Sequence, residues 1–310
     1  MALPPLQHWI WGEGGQEHSI GYRHQPGPEG AGSVVLVHGF GASSGHWRFN
    51  LGPLSTQQNC WAIDLLGFGA SSKPLSQLRH EAPLPGSVPY GFDLWGELLA
   101  DFVQAVVLPA AAAPVQLVGN SIGGLVVLRA SQLLQERGCA PQQVVLLNCA
   151  QRQLDDKNAA VLPALEQWSR PLVKRLVRQR ALLRPLFATV ARPFFVRQVL
   201  AQAYPSGQNV DAELVELLVQ PSRDLGAVEA FRGFVNLFSD HIAPELLDQL
   251  ELPVRLLWGA ADPWEPLAEA QRWAEHFDCI QELEALEGVG HCPHDEAPEL
   301  VNPILLRWLA

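Results

Sequence analysis

Short, almost uninterrupted runs of aliphatic and β-branched residues recur along this chain, each followed by a longer stretch with helical spacing. Residues 34–37 (VVLV), 60–64 (CWAID), 115–119 (VQLVG), 144–148 (VVLLN) and 254–258 (VRLLW) are the clearest runs, and 280–286 is a weaker one. Helical patterns occupy 92–107, 121–137, 263–277 and 298–309. A strand that is apolar at successive positions is covered on both faces. Such strands, alternating with helices, give a mostly parallel sheet between helical layers, so the fold class is α/β. No repeat with a period of about 20–50 residues is present, which removes solenoids and propellers.

The alternation fails once. Between the run ending near Cys149 and the one opening at Val254, helical patterns are punctuated by Pro163, Pro171, Pro185, Pro193, Pro205 and Pro221. A crossover needs only about a dozen residues, so this stretch is an insertion. The expectation is a core domain of residues 1–150 and 253–310, with 151–252 forming a helical cap at the carboxyl edge of the sheet.

Charge is uneven. The chain has 32 acidic and 21 basic residues, net −11, yet residues 151–200 hold ten basic groups against three acidic ones. The overall acidity disfavours a nucleic-acid binder. In the basic segment, Leu172, Val173, Leu176, Val177, Leu182, Leu183, Leu186 and Phe187 interleave with the charges at helical spacing. Two readings stand. It is a solvated face over an apolar stripe, or segment 170–197 is a basic amphipathic surface that rests on anionic lipid.

Cys60, Cys139, Cys149, Cys279 and Cys292 are odd in number and contain no CxxC pair, which points to a reducing compartment. The opening MALPPLQHWIWGEGG lacks the basic and apolar regions of a signal peptide. The apolar stretch 102–118 is broken by Gln104, Pro109, Pro114 and Gln116 and is too short to span a bilayer. A soluble, cytoplasmic protein is expected.

The pattern G-x-S-x-G occurs at 41–45 and at 119–123. Only the second follows a strand directly and runs straight into a helix, the context of a nucleophile elbow. Ser121 is therefore the expected nucleophile, at the start of a helix whose dipole favours a developing oxyanion. Its base is expected in the glycine-rich loop 288–291, as His291, with His294 as the fallback. The orienting acid is Asp262, after the 254–258 strand; an N-cap before Pro263, taken as the first residue of the next helix, is its other reading and is compatible with the first. The order Ser121, Asp262, His291 is that of the α/β-hydrolases. Backbone N–H groups of Phe40 and Ile122 are expected to hold the oxyanion. Asp64 reads as a turn anchor, and Cys149 and Cys292 lie near the same edge without an elbow of their own. His291, Cys292, His294 and Asp295 suit no common zinc spacing, so no metal is expected, and hydrolysis by such a triad requires no cofactor.

The segments HGFG, DLLGFGASS, GNSIGG, GAADPW and GHCPHDEAPELVN resemble the α/β-hydrolase superfamily over nearly the whole chain. Within it, GNSIGG, Asp262-Pro263-Trp264 and above all residues 290–296 (GHCPHDE) look most like the pheophytinases, plant dephytylating esterases, and their cyanobacterial relatives. The resemblance implies an α/β-hydrolase fold with an inserted helical cap, and Ser121, His291 and Asp262 as nucleophile, base and acid. It implies a cofactor-free serine esterase acting on a large apolar ester, a tetrapyrrole phytyl ester such as pheophytin, at the edge of a photosynthetic membrane. Two rivals remain: a carbon–carbon hydrolase or lyase with the same triad acting on a small polar acid, and a catalytically idle binding protein of the same fold.

Overall fold

Eight strands form one sheet in the computed structural model, which describes residues 3–110 and 114–310. They are β1 (Leu6–Glu13), β2 (Gln16–Gln25), β3 (Ser33–Val37), β4 (Asn59–Ile63), β5 (Val115–Asn120), β6 (Val144–Leu147), β7 (Val254–Gly259) and β8 (Ile280–Leu286). Their order is β1-β2-β4-β3-β5-β6-β7-β8. From β4 to β8 every pairing is parallel, and only β1–β2 and β2–β4 are antiparallel.

The six runs legible in the sequence are β3 to β8. The β1–β2 hairpin is an addition to that reading. Its turn, Gly14-Gly15, has φ of 57° and 79°, a two-residue conformation that glycine adopts without a Cβ penalty. Trp9 and Trp11 alternate with the exposed His8 and Ile10 along β1. A glycine pair between two alternating runs is the signal that finds such a hairpin.

The longer helices are α1 (Phe92–Phe102), α2 (Ile122–Glu136), α3 (Ala164–Val177), α4 (Arg180–Val190), α5 (Pro193–Ala203), α6 (Ala212–Val219), α7 (Ala227–Val235), α8 (Leu267–His276) and α9 (Pro298–Leu309). Successive residues of β3 point to opposite sides. Val35 and Val37 join Trp95, Leu98, Leu125 and Val126 of α1 and α2 in one core layer. Val34 and Leu36 join Trp47, Leu51, Leu305 and Trp308, the last two from α9, in the other. Both faces of the sheet are thus buried, which is why these strands carry no polar alternation.

Helices α3 to α7 fall between β6 and β7, in the stretch where the strand pattern lapses. Pro171 and Pro185 lie inside α3 and α4; each removes one backbone donor without ending its helix. The helix expected from Pro263 starts instead at Leu267. The N–H groups of Trp264 and Glu265 are already taken by Asp262 Oδ1, at 2.8 and 3.2 Å, so residues 263–266 form a turn. No helix among the described residues is long and apolar enough to cross a membrane.

Candidate active site

Ser121 sits between β5 and α2 with φ 55° and ψ −122°. A non-glycine residue held there stores about 1–3 kcal/mol of strain, so its surroundings must fix it. Ser121 N–H donates to Leu147 O at 3.0 Å, and its carbonyl accepts from Gly124 N–H at 2.9 Å and Ala150 N–H at 3.1 Å. Close packing dictates the flanking glycines. A Cβ at Gly119 would lie 2.3 Å from Gly123 O, one at Gly123 2.5 Å from Val37 O, and one at Gly124 2.6 Å from Cys149 Sγ. The other G-x-S-x-G differs: Ser43 Oγ accepts from Gly45 N–H at 3.3 Å and caps a short turn.

His291 and Asp262 meet. His291 Nδ1 lies 2.7 Å from Asp262 Oδ2, which makes Nδ1 the protonated nitrogen and leaves Nε2 with a free lone pair able to accept a proton. Burial alone would raise the Asp262 carboxyl, but His291, the Trp264 N–H and Asn148 together hold it below the usual aspartate range. Asn148 is decisive for its aim. Nδ2 donates to Asp262 Oδ2 at 2.7 Å while Oδ1 accepts from Gly259 N–H at 2.8 Å. Asn120 Nδ2 donates to His291 O at 3.0 Å, and His291 N–H donates to Ala203 O at 2.9 Å, tying the loop to the end of α5. The Trp264 ring stands edge-to-face with the imidazole, centroids 4.9 Å apart. Ser121 Oγ makes no hydrogen bond to His291 among the described residues; both side chains line one cavity. Such contacts commonly tighten only with substrate bound.

Phe40 and Ile122 line that cavity beside Ser121, and neither backbone N–H has an intramolecular partner among the described residues. His38 supports their loop. Its Nδ1 donates to Gly39 O at 2.7 Å and its Nε2 accepts from Leu65 N–H at 3.1 Å, so the ring is neutral, and burial lowers its pKa.

The remaining sequence candidates lie elsewhere or are chemically quiet. His294 is fully buried against Trp47 and His46, ring centroids 4.2 and 4.7 Å away, and burial pushes its pKa far down. Asp64 anchors turns, accepting from Ser44 and Ala70 N–H groups at 2.5 and 2.8 Å. Burial raises the thiols of Cys149 and Cys292. Asp295 is taken by Arg48 Nε at 2.8 Å and the Tyr204 hydroxyl at 3.0 Å. Asn148 and His38 fall within segments of the sequence reading but have no role there, and Glu265 is absent from it. Asn148 carried a hint as a polar residue closing an apolar strand, and His38 as the residue that opens the HGFG loop.

The cavity holds about 840 Å³, and Val173, Val177, Val199, Leu200, Leu218 and Phe234 supply much of its wall. A second cavity of about 320 Å³ shares Phe40, Ala42, Val199, Leu200 and Leu218 with it. The Phe40 ring, stacked on Phe234 with centroids 3.9 Å apart, lines both.

A model of the alpha/beta hydrolase family matches residues 34–304. The chain belongs to the alpha/beta hydrolase family. Chloroplastic pheophytinase of Arabidopsis thaliana is 26% identical over 304 residues, covering 89% of this chain and 61% of that protein. The acetyltransferase component of the acetoin cleaving system of Pseudomonas putida is 26% identical over 291 residues, covering 91% of this chain and 65% of that protein. The chain thus spans less than two thirds of the length of both. A probable hydrolytic enzyme from Pseudomonas aeruginosa superimposes with a TM-score of 0.72 at 22% identity, covering 99% of this chain and 95% of that one. In this chain the helical stretch is fastened to the segments that follow β3 and β8 by a buried polar chain. His46 Nε2 donates to the Tyr204 hydroxyl at 2.8 Å, Tyr204 donates to Asp295, and Arg48 bridges Asp295 to Asp211. Burial lowers the His46 pKa to about 4, so the ring acts as a neutral donor.

Proposed function

We propose that this hydrolase is a serine carboxylic-ester hydrolase acting on a large apolar ester, the phytyl ester of a chlorophyll-type tetrapyrrole. One observation carries the reading: Ser121, the Asp262-bonded His291 and two unengaged N–H groups share a cavity walled mainly by aliphatic and aromatic side chains. Ser121 Oγ attacks the ester carbonyl as His291 Nε2 takes its proton, and the tetrahedral oxyanion is held by Phe40 and Ile122 N–H. His291 then gives that proton to the leaving alkoxide, releasing the alcohol and leaving an acyl-Ser121. Water, deprotonated by His291, attacks the acyl carbon, and the acid departs with Ser121 restored.

The choice of ester rests on the likeness to pheophytinase and on the size and lining of the two cavities, which share Phe40 and offer mainly apolar walls. A phytyl tail of about 20 carbons, at about 0.8 kcal/mol per buried methylene, gains on the order of 15 kcal/mol on leaving water. Substrate of that kind is held in a membrane or a pigment–protein complex and needs a dry channel. The helical stretch 151–252 is the cap that encloses it in this reading, and no cofactor takes part. The test is incubation with detergent-solubilised pheophytin and chlorophyll, with pheophorbide and chlorophyllide followed by chromatography beside short-chain nitrophenyl esters. Phytol release from pheophytin is the expected result. Short-ester turnover with neither pigment product refutes the substrate and keeps the esterase; no turnover of any ester refutes both.

A further inference from the structure

Helix α3 has no buried residue, although it is rich in leucine. Leu165, Trp168, Leu172 and Leu176 are spaced three, four and four apart and share one face. Leu165 and Trp168 are 75% and 80% exposed. Contacts settle the opposite face. Arg170 and Lys174 pair with Asp156 and lie over the Phe238 ring, and Val173 and Val177 line the catalytic cavity. The leucine–tryptophan stripe therefore points away from the protein. Helix α4 buries only Leu183 and exposes Leu182 and Leu186, and α5 exposes Phe194 to 73%. Three consecutive helices, each packed on the next, thus turn large apolar side chains outward. A protein surrounded by water alone rarely leaves such an area uncovered.

Charge selects what covers it. Arg175, Arg184, Arg192 and Arg197 are exposed on the same three helices and their flanks, and make no ion pair among the described residues. Their neighbours Arg170, Lys174 and Arg180 are paired inward. In a chain of net charge −11, this is a basic, apolar face on an acidic protein.

We propose that the outer face of α3–α5 docks on an anionic lipid surface. Tryptophan, phenylalanine and leucine enter the boundary between headgroups and acyl chains, and the arginines meet lipid phosphates. The inner faces of the same helices wall both cavities through Val173, Val177, Phe187, Val190, Val199 and Leu200. Docking therefore puts the cavities about one helix diameter, roughly 10 Å, from the bilayer, and an apolar ester can pass between helices without crossing water. The docking face stands on its own geometry, whichever ester is cleaved.

The test is flotation with vesicles of phosphatidylcholine alone and of phosphatidylcholine with phosphatidylglycerol, without any substrate. Binding is expected on the anionic vesicles and not on the neutral ones. It weakens as salt rises from about 0.1 M to about 1 M, where the screening length falls from about 10 to about 3 Å. Each arginine is worth about fivefold in affinity, so Arg175→Glu/Arg184→Glu/Arg197→Glu lowers binding by about a hundredfold or more. Trp168→Ser/Phe194→Ser abolishes flotation as well. Both variants keep the wild-type circular dichroism melt and the wild-type rate on a soluble short-chain nitrophenyl ester. Equal binding to the two vesicle types, or none to either, overturns the proposal. So does self-association in place of flotation, lost in Trp168→Ser/Phe194→Ser, which makes the face a contact between copies. Each of these failures leaves the ester-hydrolase reading untouched, because the assay measures binding and not turnover.

Discussion

Replacing Glu265 by glutamine removes a proton equilibrium from the wall of the cavity that Ser121 and His291 line. Glu265 Oε2 accepts from Gln151 N–H at 2.8 Å, and its own N–H donates to Asp262 Oδ1. Burial pushes its carboxyl from 4.5 up to about 8, and the Asp262 charge pushes the same way. The folded protein therefore holds a proton that the unfolded chain has already released, over the window from 4.5 to about 8. Stability is undiminished below that window, falls as pH rises through it, and is flat again above it. At about 1.4 kcal/mol per pH unit the ceiling is about 5 kcal/mol. Glu265 is partly open to solvent, which relieves some of the charge's burial, so about 2–4 kcal/mol is expected. Glu265→Gln keeps an oxygen for Gln151 N–H and has no proton to lose. It should match the wild type within about 1 kcal/mol at pH 5 and exceed it by about 2–4 kcal/mol at pH 9. Urea unfolding of both proteins at the two pH values reads the difference directly, and other titrating groups cancel between them. A difference that is the same at pH 5 and pH 9 would refute the reasoning.

Two further outcomes follow from the same geometry. Ser121→Ala and His291→Ala should each lower ester hydrolysis by about a millionfold, Asp262→Asn by about ten-thousandfold, and Asn148→Ala, which unhooks the carboxylate, by less than any of these. Steady-state rates on a nitrophenyl ester check the series, and activity lost in His294→Ala but kept in His291→Ala would reverse the choice of base. Arg48→Met strands Asp295, which is fully buried, without its cation, and should cost about 3–5 kcal/mol in urea unfolding; a loss below about 1 kcal/mol would show that Tyr204 alone satisfies the carboxylate.

Hydrophobic pattern was enough to determine the layered α/β fold. Strands β3 to β7 are apolar at consecutive positions because both faces are covered, and that requirement is written locally in each run of four to six residues. The elbow was equally legible. Gly119, Gly123 and Gly124 each face an atom 2.3 to 2.6 Å from where a Cβ would stand, so steric exclusion shows directly as glycine in the sequence. Chain order also put Ser121, Asp262 and His291 at strand ends. The hairpin β1–β2 was legible but lay outside the βα rhythm, carried only by Gly14-Gly15 and the alternation around it.

Only the tertiary structure decided what depends on distant segments meeting. Asn148 reaches Asp262 across 114 positions of chain, and His38 acts on Leu65 across 27; neither pairing leaves a periodic trace. The start of α8 at Leu267 was decided by Asp262 Oδ1, which captures two N–H groups that the helical pattern had assigned to a first turn. His291 and His294 are three residues apart and alike in composition, yet one faces a carboxylate and a cavity while the other is enclosed by Trp47 and His46. The segment 170–197 shows the same limit. Its amphipathic period fixes that an apolar stripe exists, but a period of 3.6 residues is unchanged by rotating the helix about its axis. Which stripe turns inward is set by Asp156, Phe238 and the cavity wall, and these gather beneath α3 only when the chain has folded.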